Sequence, residues 1–152
     1  MTLQKREIAA FTSSKKMGWK TPAALYALLT ARRFDVSDTH NNTFDALVDT
    51  WPTTRKWFSN PPYGRAIPAW LYRAYHSGPG VMLLPVRADT KWFHAYIWNH
   101  LTGEPRANVS FLHFIPGRLK FDDQSQAPLF ASMLVYFNGD MPTKQELEYF
   151  KK

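Results

Sequence analysis

The sequence contains no cysteine, which excludes a disulfide framework, a thiolate zinc site and a cysteine nucleophile. Glycine is scarce: there are 7 in 152 residues and none between Trp19 and Tyr63, so that stretch lacks the usual device for bringing backbone close to a cofactor. Acidic residues are outnumbered, with Asp+Glu 12 against Lys+Arg 19. The resulting formal charge of +7 favours a polyanionic partner through counterion release and steering. No run approaches the roughly 18 apolar residues of a membrane span. The N-terminal MTLQKREIAAFTSSKKMGWK has no apolar core of a secretory signal behind its charges. The expectation is a soluble, cytoplasmic protein with no membrane partner. The five histidines, His40, His76, His94, His100 and His113, show no metal-ligand spacing and no Glu or Cys completes a cluster, which argues against a metal.

What is abundant is aromatic. Six Trp, 7 Tyr and 11 Phe make up 16% of the chain. Such side chains fill a small core, and they also offer flat surfaces for stacking. With 45% hydrophobic content, 152 residues fit one domain with one core. Residues 1–18 read as a polar arm and residues 19–152 as the single folded domain. Oligomeric state is left open, and a dimer would supply surface that one chain lacks.

Local signals alternate between the two regular structures. Thr21 as N-cap and Pro22 as first helical residue predict a helix over 22–33 with Leu25, Leu28 and Leu29 on one face. A short strand at 34–36 follows, then a segment at 44–51 that reads equally as helix or loop. Lys56 to Ser59 predicts a strand, residues 66–77 an amphipathic helix with Trp70, Leu71 and Ala74 inward, and VMLLPV at 81–86 a buried central strand. Asp89 or Thr90 begins a further helix to Trp98, LTGEPRAN is a polar connection, and residues 109–115 alternate weakly. ASMLVYF at 131–137 is another strand, and KQELEYF a C-terminal helix. Strands alternating with helices predict an α/β layer structure with a mostly parallel sheet. Ligands of such sheets bind beyond the carboxyl ends of the strands. Asn60 to Tyr63, Arg87 to Asp89 and Asn138 to Asp140 are all expected there.

Residues 60–63, Asn-Pro-Pro-Tyr, carry the most specific signal. Two adjacent prolines fix two φ angles near −65° and hold the residue before each extended, so Asn60 and Tyr63 project from a stiff loop. The tetrapeptide resembles the catalytic loop of methyltransferases that modify a planar amino group. An exocyclic amine is a poor nucleophile because its lone pair is delocalised into the ring. Acceptors on its two N–H groups, here the side-chain oxygen of Asn60 and the carbonyl of Pro61, draw the nitrogen toward tetrahedral geometry and stabilise its developing charge. Stacking on Tyr63, worth about 1–3 kcal/mol, offsets much of the cost of extruding a base. Pro62 completes the rigid turn. The absence of cysteine fits transfer to nitrogen and not to cytosine C5, which requires a thiolate.

Further blocks widen the resemblance: Trp19-Lys20-Thr21-Pro22, Asp45-Ala46-Leu47 ahead of Trp51, Asn60 to Arg65, Leu84 to Trp92, Gly117 to Phe121, and Ser132 to Val135. In this order they resemble the phage-type DNA adenine-N6 methyltransferases, a small Dam-like family. The resemblance implies a reduced class I, Rossmann-like three-layer fold, S-adenosylmethionine as cofactor and double-stranded DNA as substrate. It also implies that Asn60, Pro61 and Tyr63 hold the target adenine. The chain departs from the family's acidic-then-small segment at Phe34 to His40. That departure leaves Thr21, Asp35, Asp38 and Asp45 to hold the cofactor. Two alternatives stay open: a DNA-binding relative without cofactor, and an amino-methyltransferase acting on cytosine N4 or protein glutamine.

Arg65, Arg87, Lys91, Arg118 and Lys120 are the candidate phosphate contacts, interleaved with Trp92, Phe114 and Phe121, one of which is expected on the second face of the base. Asp122-Asp123 reads as a solvated turn.

Overall fold

The computed structural model describes residues 18–37, 44–122 and 128–151. The expected arm lies outside these, apart from Gly18, as do Asp38, His40 and Asp123. Elements follow the order α1 (Ala23–Thr30), β1 (Phe34–Asp35), β2 (Trp57–Ser59), α2 (Ile67–Tyr75), β3 (Gly80–Pro85), a π-helical turn (Phe93–Ile97), β4 (Trp98–Asn99), β5 (Glu104–Pro105), β6 (Val109–Phe114), β7 (Ser132–Phe137) and α3 (Lys144–Tyr149).

Five strands form a mixed sheet in the order β1-β2-β3-β7-β6. β1, β2 and β3 pair in parallel, whereas β7 is antiparallel to both β3 and β6. Four strands therefore point one way and β7 the other. This corrects one expectation: Asn138 to Asp140 follow the reversed strand and lie at the amino edge of the sheet, away from Asn60. Strand direction is not written in a run such as SMLVYF, because parallel and antiparallel central strands bury the same residues. All six positions of β3 and all six of β7 are buried. Each large aliphatic side chain so placed contributes about 1.5–3 kcal/mol over its exposed state.

Helices cover both faces. Alternation along the strands sets Trp57 and Phe137 on one face, where their rings stack at 6.0 Å, Trp51 meets Trp57 edge-on at 5.0 Å and Tyr75 of α2 meets Phe137 edge-on. A Cβ at Gly80 would meet the Trp57 indole at 2.1 Å, so only glycine fits at the start of β3. Phe58 and Tyr136 face the other side, against Tyr26 of α1 and Glu146 of α3. The π-helical turn replaces the regular helix expected from Asp89 to Trp98. The polar connection after it folds into the β4-β5 hairpin, which turns through Gly103 at φ 69°.

α1 is shorter than predicted, and Thr21 does not cap it. The cap comes from 99 residues away, where Asp122 Oδ2 accepts from the Ala23 N–H at 2.7 Å. Asp122 lies in an exposed turn, as expected, and from there it also caps the helix. Just past the other end of α1, Arg33 is 5% exposed and bonds Asp140 at 2.8 Å and Glu146 at 3.0 Å, both carboxylates being buried. Lys56 approaches Asp140 at 3.1 Å, and Tyr136 donates to Glu146 at 2.8 Å. The neighbouring carboxylates raise the Arg33 pKa against the opposing pull of burial, the largest single influence. Among the described residues no helix is long and apolar enough to cross a membrane, and no group of three or more His, Cys, Asp or Glu could hold a metal ion.

Replacing Arg33 by Met leaves two buried carboxylates without their cation. We expect Arg33→Met to lose about 3–5 kcal/mol in urea denaturation. A loss below about 1 kcal/mol would show that the cluster does not hold the helices together.

Candidate functional site

The site lies past the carboxyl end of β2, beside the central strand of the sheet. β1 and β2 pair through Phe34 N–H to Lys56 O and Val36 N–H to Phe58 O, and this brings Ser37 level with the start of the proline loop. The Ser37 hydroxyl accepts from the Asn60 backbone N–H at 2.7 Å. The Asn60 side-chain nitrogen donates to the Trp19 carbonyl at 2.5 Å and to the Thr21 hydroxyl at 2.9 Å. A carbonyl can only accept, so the nitrogen of the amide must face Trp19 and the oxygen must turn away. That oxygen is buried and accepts no hydrogen bond, on a residue only 3% exposed. The segment before α1 thus fixes the amide and leaves its acceptor unused.

Tyr63 is also buried, and its hydroxyl donates to the Leu83 carbonyl of β3 at 3.3 Å. Burial pushes the phenol far above its ordinary pKa, so it stays a neutral donor. Its ring meets Phe130 at 5.7 Å and Phe121 at 6.4 Å, both edge-on, and Trp19 contacts both phenylalanines at 5.1 and 5.4 Å. Four aromatic rings from distant parts of the chain therefore gather beside the Asn60 amide. Pro61 is buried and Pro62 half-buried in the same loop.

The residues expected to hold a cofactor divide. Thr21 is buried against Asn60, and Asp35 lies at the carboxyl end of β1, accepting from the Tyr26 hydroxyl at 2.6 Å and the Ser37 N–H at 2.8 Å. Asp45 is not with them. It is exposed, its carboxylate accepts from the Leu47 N–H at 3.1 Å, and the Leu47 carbonyl is held by Arg73 in the last turn of α2. Since α2 leads from the end of β2 back to the start of β3, that turn sits toward the amino edge of the sheet. Asp45 serves as a turn residue there, because a short Asp side chain two residues before an N–H caps it readily.

All five candidate phosphate contacts are exposed. Arg65 follows Tyr63 and Gly64, Arg87 follows β3, and Arg118 and Lys120 lead into Phe121, so each emerges near the carboxyl edge. Arg87 is paired with Asp89 at 3.0 Å, and this hydrogen bond holds the Asp89 carboxyl below its usual range. Of the three aromatics from which one was expected on the second face of the base, only Phe121 reaches Tyr63. Phe114 is 49% exposed on β6, and Trp92 packs toward Phe93. Sequence reasoning missed Phe130, Ser37 and the Trp19 carbonyl. None carries a local pattern; Ser37 was visible only as part of an atypical segment.

The ring and the hydroxyl of Tyr63 can be separated. Tyr63→Phe should cost about 0.5–1.5 kcal/mol for the lost bond to Leu83. Tyr63→Leu, which also removes the ring contacts with Phe121 and Phe130, should cost more, and equal midpoints in thermal unfolding would contradict this. The chain matches no family model, no curated protein and no solved structure.

Proposed function

We propose that the chain methylates the exocyclic N6 amine of adenine in double-stranded DNA, using S-adenosylmethionine on a reduced class I, Rossmann-like scaffold. The observation that carries the reading is the buried, unpartnered Asn60 side-chain oxygen on a proline-stiffened loop at the carboxyl end of β2. An acceptor kept empty at that position suits an N–H donor brought from outside.

Asn60 accepts one N6 proton in a hydrogen bond and the Pro61 carbonyl accepts the other. Both strengthen as the nitrogen turns tetrahedral and gains positive charge, so they lower the barrier and not only the ground state. Neither group is basic enough to keep the proton, which passes to solvent after transfer. Tyr63 supplies a flat wall against the extruded base. The cofactor, when bound, supplies the methyl group on a sulfonium sulfur. The donor set suits it: its ammonium and ribose hydroxyls call for acceptors, and Thr21 and Ser37 carry oxygens against Asn60 while the Asp35 carboxylate lies next to Ser37, accepting from its N–H. Phosphates would be met by Arg65, Lys91, Arg118 and Lys120, with Arg87 released from Asp89.

Incubation of the protein with DNA and labelled cofactor, followed by nucleoside analysis, should yield N6-methyladenine. Asn60→Ala should lower the rate by roughly 10²–10³-fold, as removal of one preorganised polar group does at comparable centres. Methylation by Asn60→Ala at the normal rate would sink the mechanism, and label in cytosine N4 or in protein glutamine would move the substrate.

One observation favours a second reading, a DNA-binding protein without cofactor. The Asp35 carboxylate is already engaged by the Tyr26 hydroxyl of α1 and the Ser37 N–H, and Asp45 sits elsewhere, in a stretch without glycine. Calorimetry separates the two readings. Heat of S-adenosylmethionine binding, with or without DNA, supports the enzyme; no heat at millimolar ligand supports the binder.

A further inference from the structure

A second buried polar atom at this edge also lacks a partner. Ser132, the first residue of β7, is fully buried and its hydroxyl makes no hydrogen bond. The register of the sheet puts it on the same face as Asn60. Ser132 and Tyr136 share a face of β7, and Tyr136 meets Glu146 of α3, which in turn binds Arg33 after α1. Asn60 bonds Thr21 just before α1 on that same side.

Their separation follows from the pairing. Ser59 is level with Met82, so Asn60 falls level with Leu83, while Ser132 is level with Pro85 across the next strand. Two strand spacings and two residues leave the backbones roughly 12 Å apart. Leu83 and Pro85 of β3 lie between them on the same face, so a flat base spanning the two, with a hydrogen bond at each end, would rest on those side chains. Phe130, two residues before Ser132, packs on Tyr63, so the same segment joins the hydroxyl to the aromatic wall. Ser59, whose hydroxyl is also unpartnered, is on the Trp57 face and does not belong to this edge.

We infer that Ser132 is a specificity residue for the base: its hydroxyl donates to a ring nitrogen while Asn60 accepts from the amine. The inference rests on the reading of Asn60 as the amine acceptor. A donor at one end and an acceptor at the other demand a base that presents an amine and a bare ring nitrogen together. Rejection of a base lacking either follows, because a buried group is then left unpaired.

Duplexes carrying 1-deaza-, 3-deaza- or 7-deazaadenine at the methylated position test it. The wild-type protein should lose about tenfold in kcat/KM on one of the three, the value of one good hydrogen bond. Ser132→Ala should lose about tenfold on adenine and nothing further on that analogue. Its thermal midpoint should not fall, since no hydrogen bond within the protein is removed. Wild-type kcat/KM for Ser132→Ala on adenine, or a loss that repeats in full on every analogue, overturns the inference while methylation itself stands. A wild-type protein that methylates no duplex overturns both the proposed function and this inference.

Discussion

Arg33 carries its charge at 5% exposure, and a cation drawn that far from water is tolerable only because Asp140 and Glu146 arrive from the other end of the chain to meet it. The arrangement ties α1 to β7 and α3 at once. Glu146 is itself fixed, bonding the Thr143 hydroxyl at 3.0 Å while its N–H donates back to it, so α3 begins where its carboxylate must be. At the opposite end of α1, Asp122 meets the Ala23 N–H. A helix of eight residues is too short to be stable alone. Held at both ends by charged groups remote in sequence, it becomes a fixed wall of the sheet. The residues just before it, Trp19 and Thr21, inherit that fixity, and it is they that orient Asn60.

Much of this was legible from the chain, and the reasons differ by element. β3 announced itself as an apolar run, α2 as an amphipathic stretch stopped by Gly78-Pro79-Gly80, and the loop at Asn60 by its two prolines. These signals are local: periodicity, turn chemistry and fixed φ angles act within a few residues. The cap from Asp122 and the Arg33 cluster were not legible, because each joins residues about 100 positions apart, and the reversed direction of β7 was not, because it is set by pairing with β3 and β6 and not by its own residues. The helix expected after Asp89 failed for another reason. Bulky Trp92, Phe93, Tyr96 and Trp98 favour any conformation that packs their rings, and the wider π turn does so with Tyr75 against Tyr96 at 5.1 Å.

The candidate site divides along the same line. Asn60 and Tyr63 were named from a contiguous motif, and the structure brings both to one place. The proposed cofactor carboxylates were named singly. A lone Asp is more often a turn or cap residue, and Asp45 is one. Asp35 keeps its place beside Ser37, and Phe130 joins the aromatic cluster with no warning in the sequence. A rigid tetrapeptide keeps its residues together whatever the rest of the chain does. Residues named singly along the chain have no such constraint on where they meet.

Why the chain should hold an asparagine at position 60 can be argued from stability alone. Its backbone N–H and its side-chain nitrogen are satisfied by Ser37, Trp19 and Thr21, yet its oxygen is buried with no donor. An unmet buried acceptor costs about 1–3 kcal/mol. A residue selected only to brace the loop would do better with a donor and no acceptor, or with an apolar group and a repacked Thr21. The oxygen is explained if something outside the protein supplies the N–H, and the prolines are explained if that oxygen must not move when it does. Local instability at Asn60 is then the counterpart of the rigidity provided by α1: the fold is held tightly at both ends of that helix so that one acceptor can stand unsatisfied beside it.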